Sequence, residues 1–282
     1  MSSLFVALQH VLPQHAISRL AGRFASSDQP WLRDRLIRRF VAAYGVNLSE
    51  SARGIGQFRS FNDFFTRELK PGARPLAEAS RFILSPADGA VSQVGPISGG
   101  RIIQAKGRDY SVAELLCCGP EEAARFEGGS FITIYLSPKD YHRVHMPAAG
   151  RLAATTYVPG DLFSVNTGTA AGVDRLFARN ERLSCRFDGP DGHFASVMVG
   201  AMIVAGIEPV WPHRFSGHAS APVREDFSDA ALDLPAGAEM GRFYLGSTVV
   251  LLFEPGTVAW FDDLKPGDPL RMGQAIAHRL VR

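Results

Sequence analysis

The spacing of apolar residues divides the chain into a helical first part and a strand-rich remainder. Over residues 4–12 and 17–24 apolar residues recur three and four positions apart, with Pro13 interrupting the run. The same spacing follows Pro30, where arginines flank a wide apolar stripe that reaches Tyr44. The pattern therefore predicts amphipathic helices over most of the first 45 residues.

A third, short helix is predicted after Ser60, which is placed to be its N-cap, with Asp63 in the reciprocal capping position. The Pro- and Gly-containing segment 70–75 then marks a boundary. We expect a helical region over residues 1–75 and a β-rich domain over residues 76–282.

From residue 81 onward, short segments rich in β-branched and aromatic residues alternate with Gly, Pro and Asp turns. This pattern of short strands and turns favours a barrel or sandwich over alternating βαβ units. The predicted fold class is α+β, mainly β: a strand-rich barrel or sandwich core preceded by amphipathic helices. The predicted strands are residues 82–84, 90–94, 101–104, 131–136, 152–158, 183–187, 194–205 and 243–253. A short helix is expected over residues 111–117, and long loops over 161–177 and 211–233.

Charge is distributed unevenly along the chain. Residues 1–80 contain eleven Arg and Lys against six Asp and Glu, a net +5, which leaves about −3 on the remainder of a chain whose total is +2. Basic amphipathic helices indicate an anionic partner, and a membrane surface is the leading candidate; no nucleic-acid partner is expected. The alternative is an ordinary helix pair packed on the core, with solvated arginines.

Composition and hydropathy narrow the class of protein further. Apolar content of 46% with 21% charged residues is ordinary for a globular protein, and no apolar run is long enough for a membrane-spanning helix. The N-terminus lacks the features of a secretory signal. Three cysteines make no disulfide framework and fit a reducing compartment.

A Gly-Ser step interrupts the predicted strand 243–253. Glycine weakens a strand interior, so Gly246 before Ser247 indicates either a β-bulge or a close approach to the backbone. Ser247 Oγ would reach the Gly246 carbonyl if the backbone were bent there.

Two further segments supply groups for proton transfer. Asp88 lies in a turn after a predicted strand, and His142 and His145 lie together at the end of another. A serine hydroxyl needs a base to become nucleophilic, and an imidazole held by a carboxylate is the usual base. Ser247 is not in a Gly-x-Ser-x-Gly elbow, and its strand context suits attack on the preceding peptide bond better than on an external ester.

These segments together resemble the bacterial, membrane-associated phosphatidylserine decarboxylase family. The resemblance covers about residues 30–280 and keeps the family's order of motifs. The motifs are residues 60–72, 85–89, 141–147 and 245–248, with residues 159–166 similar to the family's substrate-side loop.

The resemblance implies a proenzyme that cuts itself between Gly246 and Ser247. By that resemblance His145, oriented by Asp88, takes the Ser247 proton, and Oγ attacks the Gly246 carbonyl to give an ester. Elimination then leaves a dehydroalanine that hydrolyses to a pyruvoyl group derived from Ser247. The products would be a β chain of residues 1–246 and an α chain of residues 247–282.

The family's reaction is the decarboxylation of phosphatidylserine to phosphatidylethanolamine and CO2 through a Schiff base with the pyruvoyl cofactor. The resemblance makes His142 the expected proton donor, or else a group that binds the substrate carboxylate or phosphate. It also implies peripheral attachment to the cytoplasmic side of the cell membrane, with residues 1–75 as the membrane-associating region and 76–282 as the catalytic domain. A homo-oligomer is compatible with the sequence.

Three other functions compete with this one. His142 and His145 with a carboxylate are compatible with a catalytic zinc site, but no further motif with ligand spacing accompanies them, and we expect no metal ion. The second is a non-catalytic membrane-surface module, and the third is a relative acting on a different serine-bearing lipid.

Overall fold

The computed structural model describes residues 9, 14–105, 107–201, 206–215, 219–244 and 246–280. Helices come first, and strands with short helices between them follow. The helices are α1 Gln14–Ala25, α2 Pro30–Tyr44, α3 Phe61–Phe65, α4 Val112–Leu116, α5 Pro120–Ala124, α6 Thr167–Gly172 and α7 Leu176–Arg179. The strands are β1 Phe82–Leu84, β2 Gly89–Pro96, β3 Arg101–Ala105, β4 Arg108–Ser111, β5 Ser130–Leu136, β6 Arg143–His145, β7 Gly150–Val158, β8 Arg182–Gly189, β9 Gly192–Val199, β10 Ile207–Pro209, β11 Val223–Asp226, β12 Asp233–Leu234, β13 Glu239–Phe243, β14 Ser247–Phe253, β15 Val258–Trp260, β16 Pro269–Leu270 and β17 Ala275–Arg279.

A nine-stranded antiparallel sheet forms the centre, in the order β11-β7-β8-β9-β14-β5-β2-β16, with β12 also paired to β7. Two three-stranded sheets accompany it, β10-β13-β6 and β1-β17-β15, and β3 and β4 form a hairpin. The mainly β class with N-terminal helices, predicted from the sequence, is confirmed.

Strand β14 lies in the middle of the nine-stranded sheet and is buried over its whole length. Alternate residues of a strand face opposite sides. Val249 and Leu251 belong to an apolar cluster shared with Val144 of β6, whereas Val250 and Leu252 belong to a second cluster on the other face. Both faces of β14 are therefore covered, which explains its nearly continuous apolar sequence.

The N-terminal helices form a third, separate apolar cluster. Helix α2 begins with Pro30 in its first turn and ends at Gly45, whose left-handed backbone (φ +66°) lets its N–H bond to the Val41 carbonyl. Its buried Ile37 packs with the aromatic side chains of α3. The predicted helix over residues 4–12 lies outside the described residues, apart from Gln9.

Several local predictions need correction. Ser60 Oγ does accept the Asp63 N–H, but the Asp63 carboxylate accepts the Arg59 N–H and not that of Ser60, because it also binds Arg53. The predicted loop 161–177 contains α6 and the beginning of α7, and the predicted loop 211–233 contains β11 and the first residue of β12. These short elements form through tertiary pairing that local sequence does not reveal.

The predicted continuous strand 243–253 is also wrong. Strand β13 ends at Phe243 in one sheet, and β14 begins at Ser247 in another. Gly246 between them has φ +50°, the left-handed region in which glycine is at little disadvantage. The Gly-Ser step is therefore a junction between two sheets and not a bulge within one strand.

Candidate active site

Ser247 opens β14 and is fully buried. Its Oγ has no hydrogen-bond partner among the described residues, although a buried hydroxyl is normally paired. On the strand's alternation it shares the face of Val249 and Leu251. Among the described residues, a Cβ on the preceding Gly246 would meet only the Ala201 side chain, at 3.9 Å, so the Cβ side of this residue is open. A hydroxyl without a hydrogen-bond partner, directly after this glycine, suits attack on the preceding peptide bond.

His142 is fully buried just before β6, with its ring 4.1 Å from that of Phe65 in α3. Its Nδ1 lies 2.9 Å from the Asp140 carbonyl oxygen, so Nδ1 carries the proton and donates it. Nε2 keeps its lone pair and has no partner among the described residues. Burial lowers the pKa of His142 to about 3, which makes the neutral imidazole the resident form.

His145 is also held in one tautomer. Its Nδ1 donates to the Gly237 carbonyl at 2.9 Å, which leaves Nε2 to accept the Tyr141 hydroxyl at 3.2 Å. Burial lowers the pKa of His145, while the Gly237 carbonyl and the carboxylates of Glu239 and Asp88 oppose that shift. The result is a neutral base with its lone pair on Nε2.

Asp88 lies between β1 and β2, beside a cleft of about 510 Å³ that Tyr141 also lines. Its carboxylate accepts two bonds from Arg74 and one from the Met272 N–H. It makes no hydrogen bond to His145, whose Nδ1 is taken by Gly237. Asp88 therefore acts on His145 through its charge in this structure.

The structure brings two of the four sequence-predicted residues together. Asp88 and His145 interact by charge, and Tyr141 lies next to both, since it lines the cleft and bonds His145. Ser247 and His142 are both fully buried, each with a polar atom that has no hydrogen-bond partner among the described residues, and no hydrogen bond there joins Ser247 to either histidine. The Phe243 N–H bonds the His142 carbonyl at 3.0 Å, so the histidine backbone lies next to the strand that leads to Gly246.

Sequence reasoning missed three groups at this site: Arg74, Glu239 and the Gly237 carbonyl. Arg74 lies in segment 70–75, which the sequence analysis interpreted only as a boundary. Glu239 of β13 lies opposite His145 of β6 in the strand register. A backbone carbonyl has no sequence signal. Arg74 had none either, because an arginine in a Pro- and Gly-containing segment is ordinarily exposed to solvent.

Residues 159–166, which resemble the family's substrate-side loop, make hydrogen bonds to residues near the beginning of the chain. The Leu162 N–H donates to Gln14 Oε1 at 2.7 Å, and the Ser164 N–H donates to Gln9 Oε1 at 2.8 Å. This loop is therefore tied to the helical region.

The alternative of a zinc site concerns the grouping of possible ligands around His142 and His145. In the described part of the chain no three His, Cys, Asp or Glu side chains are grouped to hold a metal ion. His142 and His145 bond through Nδ1 to different backbone carbonyls.

The fold is mainly β, and its candidate site comprises a serine, two histidines and an aspartate. The sequence matches the family model described as Phosphatidylserine decarboxylase over residues 61–278, and a second family model, described as PSD, over residues 4–45. The phosphatidylserine decarboxylase proenzymes of Saccharophagus degradans, Pseudomonas putida strain GB-1 and Pseudomonas aeruginosa are each 52% identical to it. The alignments cover 97–98% of this chain and 96–98% of the relatives.

The chain therefore belongs to the phosphatidylserine decarboxylase family. Members of the family are self-processing, pyruvoyl-dependent enzymes that convert phosphatidylserine to phosphatidylethanolamine. They are membrane-associated enzymes of lipid synthesis.

Proposed function

We propose that this chain cuts itself between Gly246 and Ser247 and then decarboxylates phosphatidylserine, with Asp88, His145 and Ser247 as the self-cleavage machinery. The observation that carries the proposal is the buried, unpartnered Ser247 Oγ directly after the left-handed Gly246, at a junction between two sheets.

The first reaction needs no external reagent except water. Ser247 Oγ gives its proton to the base and forms a bond to the Gly246 carbonyl carbon as the peptide C–N bond breaks, and the leaving nitrogen takes up that proton and becomes an amine. Loss of the Ser247 Cα proton then breaks the Cβ–Oγ bond, and Gly246 leaves as a carboxylate. Hydrolysis of the remaining dehydroalanine releases ammonia and leaves a ketone at residue 247.

His145 is the base in this proposal because its Nε2 lone pair is available once the Tyr141 hydroxyl gives way. That exchange replaces one hydrogen bond by another, which costs little. Asp88 favours the imidazolium that forms when His145 takes the proton, since its charge raises the pKa of His145.

The surroundings of Ser247 fit the covalent pyruvoyl group expected there, because the residue is enclosed and its oxygen has no other partner. Such a group supplies a carbonyl electron sink for the electrons released with CO2. The protein around it excludes water through the apolar side chains on the same face of β14.

His142 has the acid–base role in decarboxylation. Its Nε2 is an acceptor, which a substrate carboxylate or phosphate cannot hydrogen-bond, so anion binding by the neutral ring is disfavoured. A ring with so low a pKa holds a proton only transiently. Nε2 would therefore relay a proton from water to the substrate carbon after CO2 has left.

The two chains would stay together after cleavage. The shorter chain would begin with β14, which pairs with β5 on one side and β9 on the other. Removing it would open the middle of the nine-stranded sheet.

The first 75 residues form the membrane-associating region and residues 76–282 the catalytic domain in this proposal. The large apolar side chains of Leu20, Phe24, Trp31 and Tyr44 are exposed on α1 and α2, among arginines that suit an anionic leaflet. None of the helices within the described residues has the length and apolar character to cross a bilayer. The proposal is peripheral attachment on the cytoplasmic side, and the exposed apolar and basic surface of α1 and α2 supports it.

Intact mass before and after incubation tests the proposal. The wild-type chain should give two fragments that meet at Gly246–Ser247, with a ketone and no amine at residue 247. Ser247→Ala should remain a single species of about 30.6 kDa. A wild-type protein that stays uncut and folded, or a Ser247→Ala chain that cuts, would show the proposal to be wrong.

A further inference from the structure

The motif over residues 60–72, together with Arg74, has no assigned function in the chemistry described so far. Its side chains and backbone nevertheless contact His142, Asp88 and the residues next to them. The Phe65 ring lies 4.1 Å from that of His142, tilted by 46°, and the Thr66 carbonyl accepts the Arg143 Nε–H at 2.9 Å. Arg67 donates to the Lys139 carbonyl at 3.2 Å, in the segment that precedes His142.

The strongest of these contacts joins Arg74 to Asp88. Arg74 Nε lies 2.8 Å from Asp88 Oδ1, and Arg74 Nη2 lies 2.5 Å from Oδ2, so the pair is bidentate. The side chains are only 7% and 10% exposed. A bidentate guanidinium fixes both the position and the plane of a carboxylate, which a lysine cannot do.

Arg74 is itself held from two sides. Its Nη2 also lies 2.9 Å from Glu50 Oε2, and its Nη1 donates to the Ala73 carbonyl at 2.7 Å. The hydrogen bonding that Arg74 donates to the Asp88 carboxylate is the main reason that the pKa of the Arg74 guanidinium is raised. The guanidinium is therefore a fixed anchor and not a mobile surface charge.

We infer that Arg74 is a positioning residue for self-cleavage: it holds the Asp88 carboxylate at the place from which its charge acts on His145. This inference rests on the proposed function, in which Asp88 supports His145. Because Asp88 has no hydrogen bond to His145 here, its effect depends on where its charge is held, and Arg74 supplies two of the three hydrogen bonds that hold it.

The experiment measures the rate of self-cleavage of the full chain, freshly made and followed by gel, for Arg74→Gln, Arg74→Lys, Asp88→Asn and the double variant Arg74→Gln/Asp88→Asn. Arg74→Gln should slow cleavage at least tenfold, and Arg74→Lys should slow it less, since lysine keeps the charge without the bidentate geometry. The double variant should cleave no more slowly than Asp88→Asn, because Arg74 acts through Asp88.

Arg151→Gln is the matched control. Arg151 and Asp233 form another bidentate pair, at 3.0 and 3.2 Å, on the exposed surface of the same domain. This variant should cleave at the wild-type rate. Thermal unfolding of each variant on the Ser247→Ala background shows which variants fold. If Arg74→Gln does not fold, the cleavage rate of Arg74→Lys tests the inference.

The outcomes separate the inference from the proposed function. If Asp88→Asn cleaves at the wild-type rate, the role of Asp88 in the proposed function is wrong. If Asp88→Asn is slow but Arg74→Gln and Arg74→Lys are both normal, Arg74 is not a positioning residue. A double variant that is slower than Asp88→Asn by the full effect of Arg74→Gln would overturn the inference too, because Arg74 would then act independently of Asp88.

Discussion

At the scale of single residues, His142 and His145 differ in the contacts that their Nε2 atoms make. Both donate through Nδ1 to a backbone carbonyl and keep a lone pair on Nε2. Nε2 of His145 accepts the Tyr141 hydroxyl and lies in the field of Asp88 and Glu239, whereas Nε2 of His142 has no partner among the described residues. This difference supports the proposed division, with His145 as the base of self-cleavage and His142 in decarboxylation.

That division predicts different failures. His142→Ala should still give two fragments but decarboxylate phosphatidylserine at least a hundredfold more slowly, the usual scale for losing a general acid–base group. Gel analysis and release of CO2 from phosphatidylserine measure the two steps separately. A His142→Ala chain that stays uncut would show that the division between the two histidines is wrong.

Burial of His142 also makes stability depend on pH. The native state keeps the ring neutral, with a pKa of about 3, while the unfolded chain takes up a proton near the ordinary pKa of 6.5. The stabilisation is therefore complete above pH 6.5 and is lost as pH falls toward 3, by up to about 1.4 kcal/mol per pH unit.

Urea unfolding on the Ser247→Ala background at pH 7.5 and 5 tests this. The loss of stability between the two pH values should be smaller in His142→Phe than in its parent, by up to about 2 kcal/mol. Equal losses in parent and His142→Phe would contradict the buried neutral ring.

At the scale of elements, the site depends on strand ends more than on strands. Ser247, Asp88 and His142 each lie where a strand begins or is about to begin, and Gly246 and Gly89 adjoin two of them. The two glycines are needed for different reasons. Gly246 has a left-handed backbone with open space, whereas a Cβ on Gly89 would lie 2.4 Å from the Tyr135 carbonyl oxygen.

Alanine substitutions on the Ser247→Ala background should therefore differ in cost. Gly89→Ala should lower the free energy of unfolding by about 2–3 kcal/mol, because β2 and β5 must separate. Gly246→Ala should cost about 1–2 kcal/mol, the strain of a left-handed alanine. Gly56→Ala, which meets no atom within 4 Å, is the control for urea unfolding. A Gly246→Ala chain less stable than Gly89→Ala would contradict this order.

At the scale of the whole molecule, the N-terminal helices pack on the rest of the protein and are also the proposed membrane-binding surface. One face of α2 packs on the aromatic side chains of α3, next to the residues that hold His142 and Arg143. Deleting residues 1–45 would expose that cluster, so deletion would confuse membrane binding with damage to the site. Single substitutions of exposed side chains separate the two effects.

Trp31 is the most informative of these side chains, because it is 69% exposed. Trp31→Gln should weaken binding to vesicles of phosphatidylserine and phosphatidylcholine about tenfold, the effect of losing one buried apolar side chain. Sedimentation with vesicles at low salt measures it. Ile103→Gln, an exposed apolar residue on β3, is the control and should bind normally. Equal binding by Trp31→Gln and wild type would mean that α2 does not meet the membrane.

Much of the fold and part of the site could be predicted from local sequence. The positions of most strands followed from the alternation of apolar segments and turns. The N-cap at Ser60 followed from the pairing of Ser60 with Asp63, three positions later. The reactive residues Asp88, His142, His145 and Ser247 were proposed from chemistry and motif. The break between β13 and β14 could not be predicted, because apolar residues continue across it and only the assignment of the strands to different sheets reveals it.

The sequence by itself determined the fold class and the family and indicated the candidate reactive groups, because periodicity, residue chemistry and motif order are properties of the chain. The tertiary structure alone decided which partners those groups have. Gly237 fixes the tautomer of His145 from 92 residues away, and Arg74 and Met272 hold Asp88 from opposite sides of it in sequence. Such contacts depend on packing over long separations, for which the residues themselves carry no local signal.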